Sequence, residues 1–262
     1  VVRYLYGVPV GLAILWAYWL LFGGWFGAPT PWFLLLVTLC GIAQIFGTLL
    51  LIASFASRGF AVGTAYSKTE AIQASLITVF LLGEALSPLA WKGVLISAGG
   101  VLYLSLAGRG LRAGELLRAT VQPAALCGTG AGFCFAMAAI CGRAANMALE
   151  GPDPVLKALF TVVLMNAIQT VLQGAWLAWR EPASVGRVFA TWRSSAQVGA
   201  LSACGSACWF IGFALAPVAL VRALGQVEIL FTLGFSRFFL GERLKGRDVV
   251  GALLVAGGVV LV

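Results

Sequence analysis

Apolar runs of about 20 residues follow one another along the chain, separated by short polar or turn-rich stretches. A helix of about 20 residues crosses roughly 30 Å of hydrocarbon. Barrel strands would instead show short segments of strictly alternating hydrophobicity. The pattern predicts nine helical membrane spans, near 3–22, 31–53, 59–82, 88–107, 123–142, 155–179, 195–215, 217–240 and 246–262. Turn chemistry separates them, as in "GGWFGAPTP" after the first span, "SP" at 87–88 and "EGPDP" at 150–154. The first run is longer than the apolar core of a signal peptide and is followed by no small-x-small cleavage site, so it reads as a retained helix.

Two stretches align with one another. "FLLGEALSPLAWKGVLISAGGVL" (80–102) matches "FFLGERLKGRDVVGALLVAGGVV" (238–260), pairing Glu84 with Glu242. The same offset, continued backward without a gap, pairs Gly41 with Gly199 and Gly47 with Gly205. It also pairs Glu70 with Glu228, the two carboxylates near the middle of spans. The chain therefore reads as a duplication: a first repeat at 1–107, a polar linker at 108–122 and a second repeat at 123–262. The second repeat holds five predicted spans and the first holds four. The expectation is a ten-helix bundle of which nine helices are present, the counterpart of 123–142 preceding Val1.

An odd number of spans per repeat inverts the second copy relative to the first. Inverted repeats are the architecture of alternating-access carriers, whose sites lie near the bilayer midplane. An ionised side chain at that depth costs about 2.5–3.5 kcal/mol on insertion scales, so such residues are kept paired, wet or functional. Lys68 projects about 160° around its helix from Glu70, because successive residues turn by about 100°. It cannot pair directly with Glu70 on the same helix, and a cross-repeat pairing of Lys68 with Glu228 is expected. Tyr66, Ser67 and Gln73 share the face of Glu70. Asn166, Gln169, Thr170 and Gln173 form a polar stripe on another span. Arg222, near the start of its span, is expected to snorkel to the interface, with a structural pairing to a mid-span glutamate as the alternative. The expected solute- or proton-binding residues are Glu70, Glu228, Lys68, Tyr66, Gln73, Gln226, Asn166 and Gln169. A carboxylate in an apolar cavity can load and release a proton near neutrality, which makes proton coupling an added expectation. A site with both signs of charge suits a zwitterionic solute.

Composition sharpens this picture. The chain is 61% hydrophobic and 10% charged, with a mean hydropathy of +1.00, against about 25% charged in soluble domains. Its net charge of +8 comes from basic residues placed singly between spans, so no nucleic-acid partner is expected. Most of them, from Arg58 through Arg180, Arg187 and Arg193 to Arg247, fall on one side of the membrane; Lys92, Arg143 and Lys157 fall on the other. The first side is expected to be cytoplasmic. Trp176, Trp179 and Trp192 lie near span ends, as an interfacial belt would. No histidine is present and no Walker or G-x-S-x-G motif occurs, so catalysis is not expected, nor a metal or cofactor.

Two five-helix halves, each ending in Gly-Glu, a glycine and Gly-Gly, resemble the EamA-type repeat of the drug/metabolite transporter superfamily. The residues carrying the resemblance are Gly83, Glu84, Gly93, Gly99 and Gly100, and Gly241, Glu242, Gly251, Gly257 and Gly258. The resemblance implies ten helices around a central cavity and carriage of a small organic solute such as an amino acid, a drug or another metabolite. The expected location is a bacterial inner membrane, with the lipid bilayer and a small-molecule substrate as partners. An uncoupled facilitator, channel or lipid scramblase remains the alternative reading, with a membrane-embedded enzyme behind it.

Overall fold

A computed structural model of the chain describes residues 1–56, 60–83, 86–107, 122–239 and 246–262. It is helical throughout, with no strand among the described residues. In chain order the helices are α1 (Val2–Leu5), α2 (Gly7–Phe22), α3 (Pro31–Ala56), α4 (Phe60–Ser67), α5 (Glu70–Leu82), α6 (Pro88–Ala107), α7 (Pro123–Ala148), α8 (Pro154–Arg180), α9 (Pro182–Ala190), α10 (Trp192–Leu215), α11 (Val218–Gly225), α12 (Glu228–Phe239) and α13 (Gly246–Val260). Among the described residues six segments are long and apolar enough to cross a membrane. Three shorter apolar helices, Glu70–Leu81, Pro88–Leu104 and Asp248–Val260, accompany them. Large apolar side chains such as Trp16, Phe46, Leu201 and Phe238 are exposed, as lipid-facing residues of an all-α membrane protein must be.

Two expected spans differ in form. The apolar runs at 59–82 and 217–240 are long enough for single helices, yet each is interrupted once, at residues 68–69 and at 226–227. At the equivalent position in each repeat the ladder tightens to i→i−3 bonds. Thr69 N donates to Tyr66 O at 3.1 Å, and Gln226 N and Val227 N donate to Ala223 O and Leu224 O at 3.1 Å. In the first copy the Ser67 and Thr69 hydroxyls also donate back to Thr64 O and Tyr66 O, at 2.8 and 2.6 Å. Such local side-chain bonds compete with the regular helix ladder. A third difference is α9, a short helix where the sequence suggested only a loop.

The helices pack as two compact units. One comprises Val1–Ile45 and Ala138–Ala216, the other Phe46–Met137 and Pro217–Val262. Each takes helices from both halves of the sequence. In the first unit Phe33, Val37 and Cys40 of α3, Leu156, Leu159 and Met165 of α8, and Phe210 and Phe213 of α10 form the core. Asp153 caps α8: its Oδ1 accepts from Val155 N and Leu156 N, and its Oδ2 accepts from the Tyr18 hydroxyl at 2.9 Å. Arg143 lies inside α7 rather than in a loop, and its Nη1 donates to Phe213 O and Ala216 O at the end of α10. All six cysteines are free thiols.

In the second unit α6 and α13, equivalent helices of the two repeats, pack through glycine. A Cβ on Gly258 would lie 2.8 Å from Gly93 O and from Ser97 Cα, backbone atoms that cannot rotate away. A Cβ on Gly257 would meet nothing within 4 Å. Gly258→Ala is therefore expected to force the helices apart at a cost of about 1–3 kcal/mol. Gly257→Ala should be neutral or stabilising by some tenths of a kcal/mol. Thermal unfolding of both variants in one detergent checks this, and equal midpoints would contradict the close approach. Gly83 ends α5 in the left-handed conformation (φ 65°), which glycine adopts without strain. Its neighbour Glu84, and Gly241 and Glu242 in the second copy, lie outside the described residues.

Candidate functional site

The two helix breaks meet within the second unit. α4 runs into Lys68 and Thr69 before α5 restarts at Glu70; α11 runs into Gln226 and Val227 before α12 restarts at Glu228. Breaking a helix exposes its partial charges, positive at each new N-terminus and negative at each new C-terminus. The charged side chains match them. Glu70 and Glu228 are the first residues of α5 and α12, and Arg222 lies in the last turn of α11. These helix ends offset part of the cost of holding charges at mid-span.

The charges then pair across the repeats. Lys68 Nζ forms an ion pair with Glu228 Oε1. Arg222 Nη1 lies 3.3 Å from Glu70 Oε1, and its Nη2 donates to Phe135 O of α7 at 3.1 Å. Gln226 Nε2 reaches Lys68 O at the long distance of 3.5 Å, so the two residues standing at the same repeat position touch each other. Two cations and two anions leave the cluster neutral. The pairs differ in exposure. The Glu70 and Arg222 side chains are 11% and 13% exposed, whereas the Glu228 side chain is 53% exposed. Gln226 is buried, and its Oε1 has no donor within reach among the described residues. The amide orientation is fixed by the Lys68 carbonyl, which needs a donor.

Helix α7 closes one side of the α4–α5 break. A Cβ on Gly132 would stand 2.8 Å from Ser67 O and 3.2 Å from Glu70 N, so this glycine of α7 serves close backbone approach. Tyr66 packs against Ala124 and Ala125 at the start of α7. Gln73 Nε2 donates to Thr69 Oγ1 at 2.8 Å and to Thr129 O at 3.3 Å. Both side chains thus hold the break against α7.

Asn166 and Gln169 belong to the other unit. Both are buried on α8, and Gln169 Nε2 donates to Gly41 O at 3.0 Å. Gln169 Oε1 and both polar atoms of the buried Asn146 have no hydrogen-bond partner among the described residues.

The model of the EamA-like transporter family matches residues 122–262, more than half of the chain. The chain belongs to the EamA-like transporter family. A solved crystal structure matches 99% of this EamA-like chain and 85% of its own, with a TM-score of 0.70 and 21% sequence identity. That likeness shows a common fold. No curated protein matches the chain. Membership makes the protein an integral membrane protein of a transporter family, in keeping with its apolar helices.

For Arg222 the structure shows the second of its two sequence readings, a pairing with a mid-span glutamate. Five residues into an apolar run it reads as a snorkelling interfacial cation, but the break at Gln226 turns that last helical turn toward Glu70. A signal was available in the charge count: two mid-span glutamates need two cations, and Lys68 is only one.

Proposed function

We propose that the protein is a secondary carrier moving a small organic solute by alternating access, with Lys68, Glu70, Arg222, Gln226 and Glu228 as its binding and coupling site. The observation that carries this reading is the meeting of two helix breaks at equivalent repeat positions, each presenting a carboxylate at a new helix N-terminus. Broken helices in inverted repeats are where carriers of other folds bind solute and coupling ion. The sequence duplication, 1–107 against 123–262, supplies the inverted pair that the mechanism needs.

In this reading Glu70 and Arg222 form the fixed half of the site, being the less exposed pair. Glu228 is the exchanging carboxylate: it releases Lys68 to a solute anion or takes up a proton as the site changes its access. Tyr66 and Gln73 hold the first break in place; Asn166 and Gln169 belong to the other unit and are not assigned to this site.

Proteoliposomes holding a trapped pH dye test the proposal. Wild type, Glu70→Gln and Glu228→Gln are challenged with amino acids, amines and organic anions. The expected result is a solute-driven proton flux that saturates and that either substitution abolishes. Saturable solute flux without protons, unchanged in both variants, would leave a facilitator in which the glutamates are scaffolding. Flux that never saturates would mark a pore and overturn the carrier reading.

A further inference from the structure

Between α8 and α10 the chain carries a feature that transport does not use. α8 is 27 residues long, roughly 40 Å at the helical rise and longer than the hydrocarbon core of about 30 Å. Its last turns therefore stand at the level of the lipid headgroups if its other end reaches the opposite interface. The next helix, α9, has 9 residues and is too short to return across the bilayer. Pro182, Val185, Val188 and Phe189 share one face of it, and Ser184 and Arg187 the opposite one. Val185 and Val188 are half-buried against the protein, and the Tyr6 hydroxyl donates to Val188 O at 3.0 Å, fixing α9 in place. This is the shape of a helix lying in the plane of the interface.

Three arginines surround it. The Arg180 guanidinium lies 5.4 Å from the centre of the Trp179 ring, and that of Arg193 lies 5.6 Å from the centre of the Trp192 ring. Between them Arg187 Nη2 donates to Ser184 Oγ at 2.6 Å, and Ser184 Oγ donates to Glu181 Oε2 at 3.0 Å. All three arginines are exposed. Glu181 is the one acid in the stretch 176–195, so the segment is net positive. Trp176, Trp179, Phe189 and Trp192 are 56–77% exposed beside them.

We propose that α9 and the arginines at 180, 187 and 193 form a binding surface for the headgroups of anionic phospholipids. The rings near Arg180 and Arg193 and the Ser184 hydroxyl at Arg187 leave guanidinium donors available, and a guanidinium fork matches a phosphodiester. The exposed aromatics decide for lipid over a soluble anion. They gain by entering the headgroup–acyl boundary, where tryptophan is favoured, and a free phosphate offers them nothing. The surface is built from residues of the first unit and shares none with the helix breaks of the second, so the proposal is independent of the carrier reading.

Native mass spectrometry of the full chain, titrated with phosphatidylglycerol and with phosphatidylcholine of the same acyl chains, tests it. Phosphatidylglycerol is expected to be retained preferentially. Each of Arg180→Gln, Arg187→Gln and Arg193→Gln should weaken that retention by roughly fivefold. The triple variant should hold both lipids equally, while Arg237→Gln, an exposed cation elsewhere, should keep the preference. Unfolding midpoints without added lipid should coincide, because the three side chains are exposed. Equal retention of the two lipids by wild type, or a preference surviving in the triple variant, would overturn the proposal. So would displacement of phosphatidylglycerol by inorganic phosphate, which would assign the site to a free anion.

Discussion

Arg222→Gln is expected to cost about 3–5 kcal/mol of stability, the largest loss among single substitutions in the cluster. The reason is what the substitution leaves behind. The Glu70 side chain is 11% exposed and draws its opposing charge from Arg222 at 3.3 Å. Losing the guanidinium strands a carboxylate in a largely dry setting and removes the donor to Phe135 O. The penalty belongs to the unpaired charge, so the double variant Glu70→Gln with Arg222→Gln should recover most of it. Glu228→Gln tests the contrast. Its side chain is 53% exposed, and neutralising a partly solvated pair member should cost less than about 1 kcal/mol. Unfolding midpoints of the four proteins in the same lipid–detergent mixture decide the matter. If Arg222→Gln and Glu228→Gln fall equally, or the double variant is no better than Arg222→Gln alone, the division into a fixed and an exchanging pair is wrong.

The sequence carries much of this site in its charges and little of it in its backbone. Glu70 and Glu228 stand out because an ionised residue inside an apolar run demands a partner, and the duplication offered Lys68 to Glu228 as a cross-repeat partner. The breaks beside them were not legible. No proline marks residues 68–69 or 226–227, and both apolar runs are long enough to cross as single helices. What interrupts them is a change from i−4 to i−3 bonding, helped in one copy by the Ser67 and Thr69 hydroxyls. A hydroxyl followed by glutamate is also how a helix start reads, and Thr69-Glu70 carries that mark. The Phe135 carbonyl that holds Arg222 is backbone, without any residue-type signal. The glycines of α6 and α13 were legible as a group. Only contact geometry separates Gly93, Gly100, Gly251 and Gly258, which face a neighbour, from Gly99 and Gly257, which do not. The helix α9 escaped because periodicity over 9 residues between two long spans is too short to distinguish from a loop.

Lys68→Glu should depress transport by at least about a hundredfold, equivalent to roughly 2.7 kcal/mol. It places a third carboxylate beside Glu70 and Glu228 and reverses the cation that Glu228 pairs with among the described residues. Like charges so placed repel by several kcal/mol, and on the proposed carrier reading the Lys68–Glu228 pair is lost as a latch. The informative protein is the charge swap, Lys68→Glu with Glu228→Lys. It restores an ion pair across the same break and keeps the cluster neutral. Were the pair only a latch, the swap should regain most of the lost flux. Were Lys68 and Glu228 to touch solute directly, the swap would repair folding and stability but not transport, because each charge would face the wrong end of the molecule. The carrier reading, in which Glu228 yields Lys68 to the solute, expects the second outcome: a stable protein with an unfolding midpoint near wild type and flux still at least about tenfold down. Full recovery by the swap would move solute binding away from Lys68 and leave the pair as a gate.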